Sequence, residues 1–278
     1  MKVAVLGCSG AMGSFFTKYF LEGGHMVAGS DRGRVGGHLG GFKSANSNPE
    51  AVRGADVVLV AVPIRETAKV IREVSPFIKE GSTLIEITSV KGMGLAELKR
   101  ILAARKVALL SLHPLFGPNA RSKSLKICVI GNKRDLSATR RLFPEAKLIQ
   151  LSARAHDRLM AYTLSLVHIV NLAFVSVLAK GIGVEEFERT ATPTGSGQLN
   201  LSQAVLSQNP SLFSHIQVEN PFVADVLSFL IAELEGVKRM IGRNDAAGLE
   251  KRFIAVAGEF ERVELDKALR RVYLASNS

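Results

Sequence analysis

The chain has 278 residues, of which 47% are hydrophobic and 22% charged, a balance typical of a folded globular protein and unlike that of a disordered segment. The formal net charge of +11 comes from the first half: residues 1–152 hold 23 Lys and Arg against 11 Asp and Glu, whereas residues 153–278 hold 13 against 14. Aromatic residues make up only 6% and no helix-turn-helix or zinc-finger pattern is present, so the basic half indicates small anionic ligands and argues against nucleic acid.

The apolar stretches and the cysteines predict a cytoplasmic location. The apolar run before Gly7 is too short for the core of a signal peptide. The nearest approach to a membrane span, residues 161–179, carries His168 and Asn171, so we expect a buried helix there and no membrane partner. Cys8 and Cys128 lie in apolar, strand-like contexts without metal-ligand spacing, which is typical of reduced thiols and predicts no metal site.

Short β-rich runs alternate with helical segments in the first half. The predicted strands cover residues 3–6, 26–28, 56–62, 83–87, 107–112, 126–130 and 147–151. The predicted helices cover residues 12–22, 67–77, 95–104 and 133–142, and the Gly-, Ser- and Asn-rich residues 33–48 predict a loop. Strands that alternate with helices pair in parallel, so residues 1–152 are expected to form a doubly wound, Rossmann-type α/β domain.

After residue 152 the strand signals stop. Helical periodicity extends over residues 153–180, 199–207, 221–241 and 246–273, so residues 153–278 are expected to form an all-α domain. The apolar faces of these helices are broad. They fit either a homodimer, with the helical half as the dimerisation domain, or packing within one chain.

A glycine-rich turn joins the first predicted strand to the first predicted helix. The usual dinucleotide fingerprint is G-x-G-x-x-G, and with its last two glycines at Gly10 and Gly13 its first position falls on Cys8, directly after Gly7. Such a turn lets the backbone approach a pyrophosphate at a helix N-terminus, where free N–H groups and the helix dipole favour negative charge. The segment therefore predicts a dinucleotide cofactor.

The end of the second predicted strand bears on the choice of cofactor. Asp31 follows Gly13 by 18 residues, and a carboxylate there accepts hydrogen bonds from the ribose hydroxyls of NAD. Arg32 and Arg34 could instead hold the 2′-phosphate of NADP, so NAD is favoured and NADP is the alternative. The predicted cofactor-binding residues are Gly7, Gly10, Ala11, Met12, Gly13, Asp31, Arg32 and Pro63.

Two polar segments follow the fourth and fifth predicted strands, where ligands bind in a doubly wound sheet. Residues 88–92 read TSVKG and residues 113–118 read HPLFGP. His113, within reach of Ser89 on the neighbouring strand, suits a general base that takes the proton of a carbinol while hydride leaves its carbon. His168 lies on an apolar helix, about three turns from His156 and Asp157, and a histidine so placed is most often a core residue.

These segments resemble the prephenate dehydrogenases, a family that includes the similar arogenate dehydrogenases. The similarity extends through GCSGAMG at 7–13, TSVKG at 88–92, HPLFGP at 113–118, AHDRLMAYTLSLVHIVNLAF at 155–174 and NPSLFSHIQVENP at 209–221. The pair TSVKG and HPLFGP is specific, whereas the glycine turn is common to many dehydrogenases. The resemblance implies NAD(P)-dependent oxidative decarboxylation of prephenate to 4-hydroxyphenylpyruvate in tyrosine biosynthesis, with a helical dimerisation domain.

The resemblance also implies roles for single residues. His113 would polarise or deprotonate the ring C4 hydroxyl and Ser89 would share its hydrogen bond, which makes these two the catalytic residues. Lys91 would support the loop or face an anionic group, and His168 would line the substrate pocket. With Gln198, these residues form the predicted substrate-binding set.

The sequence departs from the family pattern at one point. Many members place an arginine in the C-terminal domain to bind a substrate carboxylate, and the corresponding residues 192–198 contain none. Gln198, Arg189, Arg121 or Lys123 could substitute, and the sequence does not choose among them. Prephenate and arogenate therefore both remain candidate substrates.

Two other functions fit the same two-domain outline. A 3-hydroxyacid dehydrogenase or imine reductase is one, but the hydroxyacid type relies on a lysine in the first helix of the second domain, and residues 153–179 contain none. A non-catalytic dinucleotide-sensing regulator is the other, and the Ser89 and His113 pair argues against it.

Overall fold

The structure of the protein, a computed structural model, describes residues 1–32, 40–92, 94–120 and 125–275. Its contacts divide the chain into two units, Met1–Leu159 and Met160–Ser278. The sequence places the boundary earlier, after residue 152. The two positions differ because residues just past 152, His156 and Asp157 among them, are bonded to residues of the first unit.

One eight-stranded sheet forms the centre of the first unit. Its strands are β1 (Lys2–Leu6), β2 (Met26–Ser30), β3 (Phe42–Ser44), β4 (Val57–Val60), β5 (Thr83–Glu86), β6 (Ala108–Pro114), β7 (Lys126–Ile130) and β8 (Lys147–Leu151). Their order across the sheet is β3-β2-β1-β4-β5-β6-β7-β8. The predicted Rossmann-type sheet is therefore confirmed, with one more strand than the sequence predicts.

Helices cover both faces of this sheet. They are α1 (Ala11–Glu22), α2 (Asn48–Val52), α3 (Ile64–Val74), α4 (Leu95–Ala103) and α5 (Lys133–Leu142), and a 3₁₀ turn, Ser75–Phe77, extends α3. Phe16 of α1 belongs to the core on one face and Ile71 of α3 to the core on the other. Because both faces are covered, a central strand such as β4, VVLV, is apolar and buried at every position.

The pairing of β7 differs from the predicted all-parallel arrangement. β7 runs antiparallel to β6, with His113 opposite Cys128. Parallel neighbours need a crossover connection, usually a helix, and the described part of the link between Pro114 and Lys126 contains no helix. The chain therefore turns back directly, and the parallel order resumes between β7 and β8.

The predicted loop at 33–48 is wrong in its second part. Residues Phe42–Ser44 form β3, which pairs in parallel with β2 at the edge of the sheet. Asn48 then begins α2, whose N-terminus is capped by Ser47 through a hydrogen bond from the Glu50 amide. A three-residue edge strand of sequence FKS carries almost no hydrophobic periodicity, and for this reason the sequence pattern misses it.

The second unit is helical, as predicted. α6 (Ala153–Met160), which ends the first unit, passes through a π-helical turn, Ala161–Leu166, into α7 (Val167–Lys180). The other helices are α8 (Val184–Thr190), α9 (Pro193–Leu206), α10 (Pro210–Glu219), α11 (Val223–Gly242), α12 (Ala246–Ala257) and α13 (Arg262–Ala275). The single helix predicted over 246–273 is thus two helices, separated by a turn that begins at Gly258, the C-cap of α12.

The helical run Ala153–Lys180 is long and apolar enough to span a membrane by length and composition alone. The sequence predicts a buried helix here, but only 22% of its most apolar window is buried in the single chain. Val177, for example, is 68% exposed. The prediction is therefore wrong for one isolated chain, because α7 presents apolar side chains on its outer face as well as its inner one.

Candidate active site

Three glycines shape the turn between β1 and α1. Gly7 has a φ of +83°, and a Cβ on it would lie 2.5 Å from the Ala61 carbonyl oxygen. A Cβ on Gly13 would lie 1.9 Å from the Gly7 carbonyl oxygen, so α1 packs directly against the turn. The residue that needs glycine at the start of the motif is therefore Gly7, and Cys8 is tolerated in the next position because its side chain is buried beside Gly29.

The N-terminus of α1 is open to a ligand. Gly10 is its N-cap, no side chain caps the first turn in the described residues, and the first turn carries no acidic residue. Gly10 and Ala11 are exposed. The backbone amides of Ala11, Met12 and Gly13 precede the first intrahelical bond, from the Ser14 amide to the Gly10 carbonyl, and thus form a site of the kind that holds a diphosphate.

Asp31 is fixed at the end of β2 beside this turn. Its Oδ2 accepts a hydrogen bond from the Ser9 amide at 2.9 Å, and its Oδ1 accepts one from the Arg32 amide at 2.7 Å. The Arg32 guanidinium forms an ion pair with Glu66 of α3. Pro63, exposed after β4, is the N-cap of α3. Arg34 lies outside the described residues.

These residues fit a dinucleotide. The glycine turn leaves space for a phosphate where a side chain would close it, the free amides supply hydrogen-bond donors, and Asp31 supplies an acceptor for ribose hydroxyls. The described residues contain no group of three His, Cys, Asp or Glu side chains placed to hold a metal ion.

Ser89 lies three residues past β5, in a segment held by its neighbours. The Thr88 amide and hydroxyl both donate to Glu86 Oε2, at 2.8 and 2.6 Å, and the Thr88 hydroxyl also reaches the Val90 carbonyl. Ser89 itself is half-buried, and the structure gives its hydroxyl no hydrogen-bond partner in the part of the chain it describes. The segment therefore leaves the Ser89 hydroxyl available to a ligand.

Lys91 is predicted either to support the loop or to face an anionic group of the substrate, and its contacts favour the first of these roles. Its side chain is only 1% exposed, and Nζ donates to Glu86 Oε1 at 2.6 Å and to the Leu112 carbonyl at 2.7 Å. Glu86 in turn accepts a hydrogen bond from Ser111. The ammonium is therefore used in a buried ion pair that ties the segment after β5 to β6, and it does not face an open pocket.

His113 lies at the end of β6, one strand from β5, and is 6% exposed. Its Nδ1 is 2.8 Å from His156 Nε2, and His156 Nδ1 is 2.8 Å from Asp157 Oδ1. Nε2 of His113 has no hydrogen-bond partner in the described ranges. Burial, and then the neighbouring His156 and Lys91, hold the pKa of His113 well below its usual range, so the ring is neutral at physiological pH.

His156 and Asp157 are the members of this site that sequence reasoning missed. Both are fully or almost fully buried, and Asp157 also accepts hydrogen bonds from the amides of Lys91 at 2.9 Å and Gly92 at 2.6 Å. The adjacent histidine and aspartate at the start of a predicted helix are the signal in the sequence. Helical periodicity relates them only to His168 on the same helical run and does not place them at the strand ends.

His168 lies on α7 in the second unit and contacts α10. Its ring is stacked on Phe213 with centroids 5.3 Å apart, and its Nδ1 is 3.3 Å from Gln217 Nε2. Burial lowers its pKa. Two polar atoms in the same unit, Ser165 Oγ and Gln217 Oε1, are buried without a hydrogen-bond partner among the described residues. Their hydrogen bonding is therefore incomplete within the part of the chain that the structure describes.

Of the residues that could replace the missing arginine, the two that the structure describes, Gln198 and Arg189, already have protein partners. The Gln198 amide donates to Asn171 Oδ1 at 2.9 Å, and Ser202 donates to the same oxygen at 2.7 Å, so the Gln198 nitrogen already has a protein partner. Arg189 is exposed and paired with Glu186 of its own helix. Arg121 and Lys123 lie outside the described residues.

Comparisons with known proteins agree with this architecture. A family model described as "Prephenate dehydrogenase, nucleotide-binding domain" matches residues 22–126, and one described as "Prephenate dehydrogenase, dimerization domain" matches residues 152–254. A solved structure of prephenate dehydrogenase from Aquifex aeolicus, in complex with hydroxyphenyl propionate and NAD+, aligns over 95% of this chain and 98% of its own, with a TM-score of 0.74 and 20% sequence identity.

Two curated relatives extend the comparison. A "Probable arogenate/prephenate dehydrogenase" of Methanocaldococcus jannaschii is 26% identical over 90% of this chain, which spans only 59% of that relative's length. A "4-amino-4-deoxyprephenate dehydrogenase" of Streptomyces pristinaespiralis is 25% identical over 99% of this chain and 97% of its own. The two family models match the two halves of the chain, and the chain belongs to the prephenate dehydrogenase family.

Proposed function

We propose that this chain oxidatively decarboxylates prephenate to 4-hydroxyphenylpyruvate, with NAD as the hydride acceptor. The observation that carries the proposal is the placement of His113. Its ring is buried at the end of β6, His156 occupies its Nδ1, and its Nε2 is left without a partner among the residues that the structure describes. A neutral imidazole with one free nitrogen is the acceptor that a reacting hydroxyl needs.

In this proposal His113 Nε2 accepts the proton of the ring C4 hydroxyl, and the Ser89 hydroxyl donates a second hydrogen bond to the same oxygen. Nicotinamide, when bound, supplies the hydride acceptor. Loss of CO₂ aromatises the ring, so the protein has to orient the substrate, exclude water and stabilise the developing charge. The burial of His113 and the low pKa that follows from it keep the base unprotonated before substrate arrives.

The contacts of Asp31 favour NAD over NADP. The carboxylate is held beside the glycine turn by two backbone amides, where a 2′-phosphate would bring a second negative charge close to it. Arg32 is the nearest described cation in the sequence that could offset this repulsion, but its charge is partly neutralised by the ion pair with Glu66. NAD is therefore the proposed cofactor, and NADP is the alternative.

We propose that His168, in the second unit, binds substrate and that this unit forms a homodimer in the cytoplasm. His168 is held by Phe213 and Gln217, so its ring orientation is fixed. The dimer is supported by the family model that matches residues 152–254 and by the exposed apolar side chains of α7 and α12.

Arogenate is the second candidate substrate, and one observation favours it. Gln217 Oε1 is a buried acceptor without a partner among the described residues, and it belongs to the same amide group as Nε2, the atom that contacts His168. Arogenate differs from prephenate by an ammonium group in place of a side-chain ketone, and an ammonium is a donor only. A buried acceptor of this kind suits the ammonium better than the ketone.

The test is to follow reduction of NAD and of NADP with prephenate and with arogenate in turn. We expect the highest kcat/KM for prephenate with NAD. A higher value for arogenate would replace the proposed substrate, a higher value for NADP would replace the proposed cofactor, and no reduction in any of the four combinations would contradict the activity as a whole.

The role of His113 has its own test. His113→Asn should lower kcat roughly 10²–10⁴-fold, because it removes the proton acceptor, while NAD affinity measured by calorimetry stays unchanged. His25→Asn is the matched control, since His25 precedes β2 at the opposite end of the strands. Unchanged turnover in the His113 variant would remove that residue from the mechanism.

A further inference from the structure

Three buried side chains form a continuous hydrogen-bonded chain behind the proposed base. His113 Nδ1 and His156 Nε2 are 2.8 Å apart, and His156 Nδ1 and Asp157 Oδ1 are also 2.8 Å apart. His156 is 0% exposed and Asp157 is 1% exposed. Water therefore does not compete with these contacts. In the described residues three of the four ring nitrogens have one defined partner each, and His113 Nε2 is the nitrogen without one.

The carboxylate of Asp157 determines which atom donates and which accepts in each of these hydrogen bonds. Its Oδ1 accepts from the Lys91 amide and its Oδ2 from the Gly92 amide, so both carboxyl oxygens act as acceptors. His156 Nδ1 must then donate to it, and in a neutral ring this leaves His156 Nε2 as an acceptor. His113 Nδ1 donates to that acceptor, and the lone pair of His113 is at Nε2, where the substrate is proposed to bind.

The surrounding charges determine where a proton can be stored. The titratable groups that face His113 are His156, Lys91 and, opposite it on β7, Cys128. Lys91 is buried and paired with Glu86, so a second positive charge on His113 would lie in a buried environment beside a cation. His156, in contrast, contacts the Asp157 carboxylate directly. The cationic form of the pair is therefore stabilised on His156.

We propose that His156 and Asp157 are positioning residues that hold His113 in the tautomer with Nε2 unprotonated and accept the charge when His113 takes a proton. The proposal rests on the proposed function of His113. The substrate O–H proton passes to Nε2 of His113 as the Nδ1 proton of His113 passes to Nε2 of His156. His113 is neutral again, with its proton now on Nε2, and His156 is an imidazolium beside Asp157.

The same carboxylate also orders the serine segment. Asp157 binds the amides of Lys91 and Gly92, which directly follow Ser89 and Val90. One side chain thus fixes both the ring tautomer of His113 and the backbone that carries Ser89. This coupling explains why a histidine and an aspartate are adjacent at the start of α6: each reaches a different part of the site.

The first experiment reads the tautomer without any turnover. In the full chain labelled with ¹⁵N-histidine, ring spectra near neutral pH should show His113 with a proton on Nδ1 and none on Nε2, with the signals assigned by their loss in His113→Asn. A proton on Nε2 of His113 in the free enzyme would overturn the proposal, because His156 would then be the donor of the pair.

The second experiment separates the relay from the fold. In His156→Gln the amide oxygen can still accept from His113 Nδ1 but cannot take its proton, so kcat should fall roughly 10–100-fold with NAD affinity and KM little changed. Asp157→Asn removes the carboxylate that faces the imidazolium, so protonation of the free enzyme becomes less favourable and the acid limb of the kcat/KM profile moves to lower pH.

A merely structural role predicts a different pattern. Loss of packing would raise KM and lower the unfolding temperature without moving the acid limb, and wild-type kcat in His156→Gln would show that no relay operates; either result overturns the proposal. If the wild-type chain reduces neither cofactor with either substrate, the proposed function fails, and the tautomer measurement still tests the arrangement of His113, His156 and Asp157.

Discussion

At the scale of single residues, the site combines side chains that differ in what fixes them. Asp31 is held by the amides of Ser9 and Arg32, and His113 by the chain that runs to Asp157. In both cases backbone N–H groups hold the carboxylate, of Asp31 or of Asp157, in place. Ordered carboxylates of this kind lose little side-chain entropy when a ligand binds, which favours affinity.

Asp31→Ser tests whether the Asp31 carboxylate binds the ribose hydroxyls of the cofactor. The substitution removes the negative charge and shortens the acceptor, so NAD affinity should fall by about tenfold or more while NADP affinity changes less or improves. Calorimetric titration with both cofactors measures the ratio. Asp56→Ser, at the amino end of β4, is the control and should change neither affinity. Equal losses for both cofactors in Asp31→Ser would show that the carboxylate does not contact the ribose.

The residues that follow strands could be predicted from the sequence, whereas their supporting contacts could not. Strand ends place Asp31, Ser89 and His113 at one edge because parallel strands share a direction. The contact between His113 and His156 joins positions 43 residues apart, and no periodicity encodes it. Lys91 illustrates the opposite case: its position after a strand suggested a ligand, but burial next to Glu86 uses its charge within the protein.

At the scale of elements, the contact between β1 and α1 depends on two glycines. The Gly7 carbonyl oxygen lies where a Cβ on Gly13 would project, so the helix can approach the turn only without that atom. The free amides at the start of α1 are thereby brought to the edge of the sheet, next to Asp31.

Gly13→Ala should therefore displace the start of α1 from the turn. We expect a loss of NAD affinity of at least tenfold and a lower unfolding temperature, because a Cβ 1.9 Å from a backbone oxygen forces the backbone to move. The matched control is Gly23→Ala at the other end of the same helix, where a Cβ would meet its nearest neighbour at an ordinary 3.5 Å. NAD affinity in Gly13→Ala equal to that of the control would contradict the role of the turn.

Element types were more predictable than their pairing. Buried strands and amphipathic helices have strong periodicity, which fixes their type over most of the first unit. The antiparallel β7 depends instead on the link between Pro114 and Lys126, whose described residues contain no crossover helix, and the break at Gly258 depends on a turn between two helices of similar pattern. Both are consequences of connections, which hydrophobic periodicity does not describe.

At the scale of the whole molecule, the second unit has little core of its own. Its buried hydrophobic cluster contains Ala161, Val223 and Val226. In the described residues of α12 no side chain is buried, and Phe253 of that helix is 76% exposed. Apolar side chains in this number favour association, which agrees with the dimer that we propose.

The stability of the chain should therefore depend on its concentration. If the folded second unit exists mainly as a dimer, the unfolding temperature rises as the protein concentration increases, because association draws the equilibrium toward the folded state. Scanning calorimetry over a hundredfold range of concentration (roughly 1–100 µM) measures the effect. An unfolding temperature that is the same at both ends of the range would show that a single chain is stable without its partner.

The buried ion pair between Lys91 and Glu86 has a consequence for how this chain can change by mutation. Removing either partner alone would leave an uncompensated buried charge, at a cost of about 3–5 kcal/mol, whereas replacing both with apolar residues of similar volume is often neutral. The two positions are thus expected to vary together among descendants of this sequence. Any lineage that replaces them one at a time must pass through an intermediate with one uncompensated buried charge next to the segment that carries Ser89.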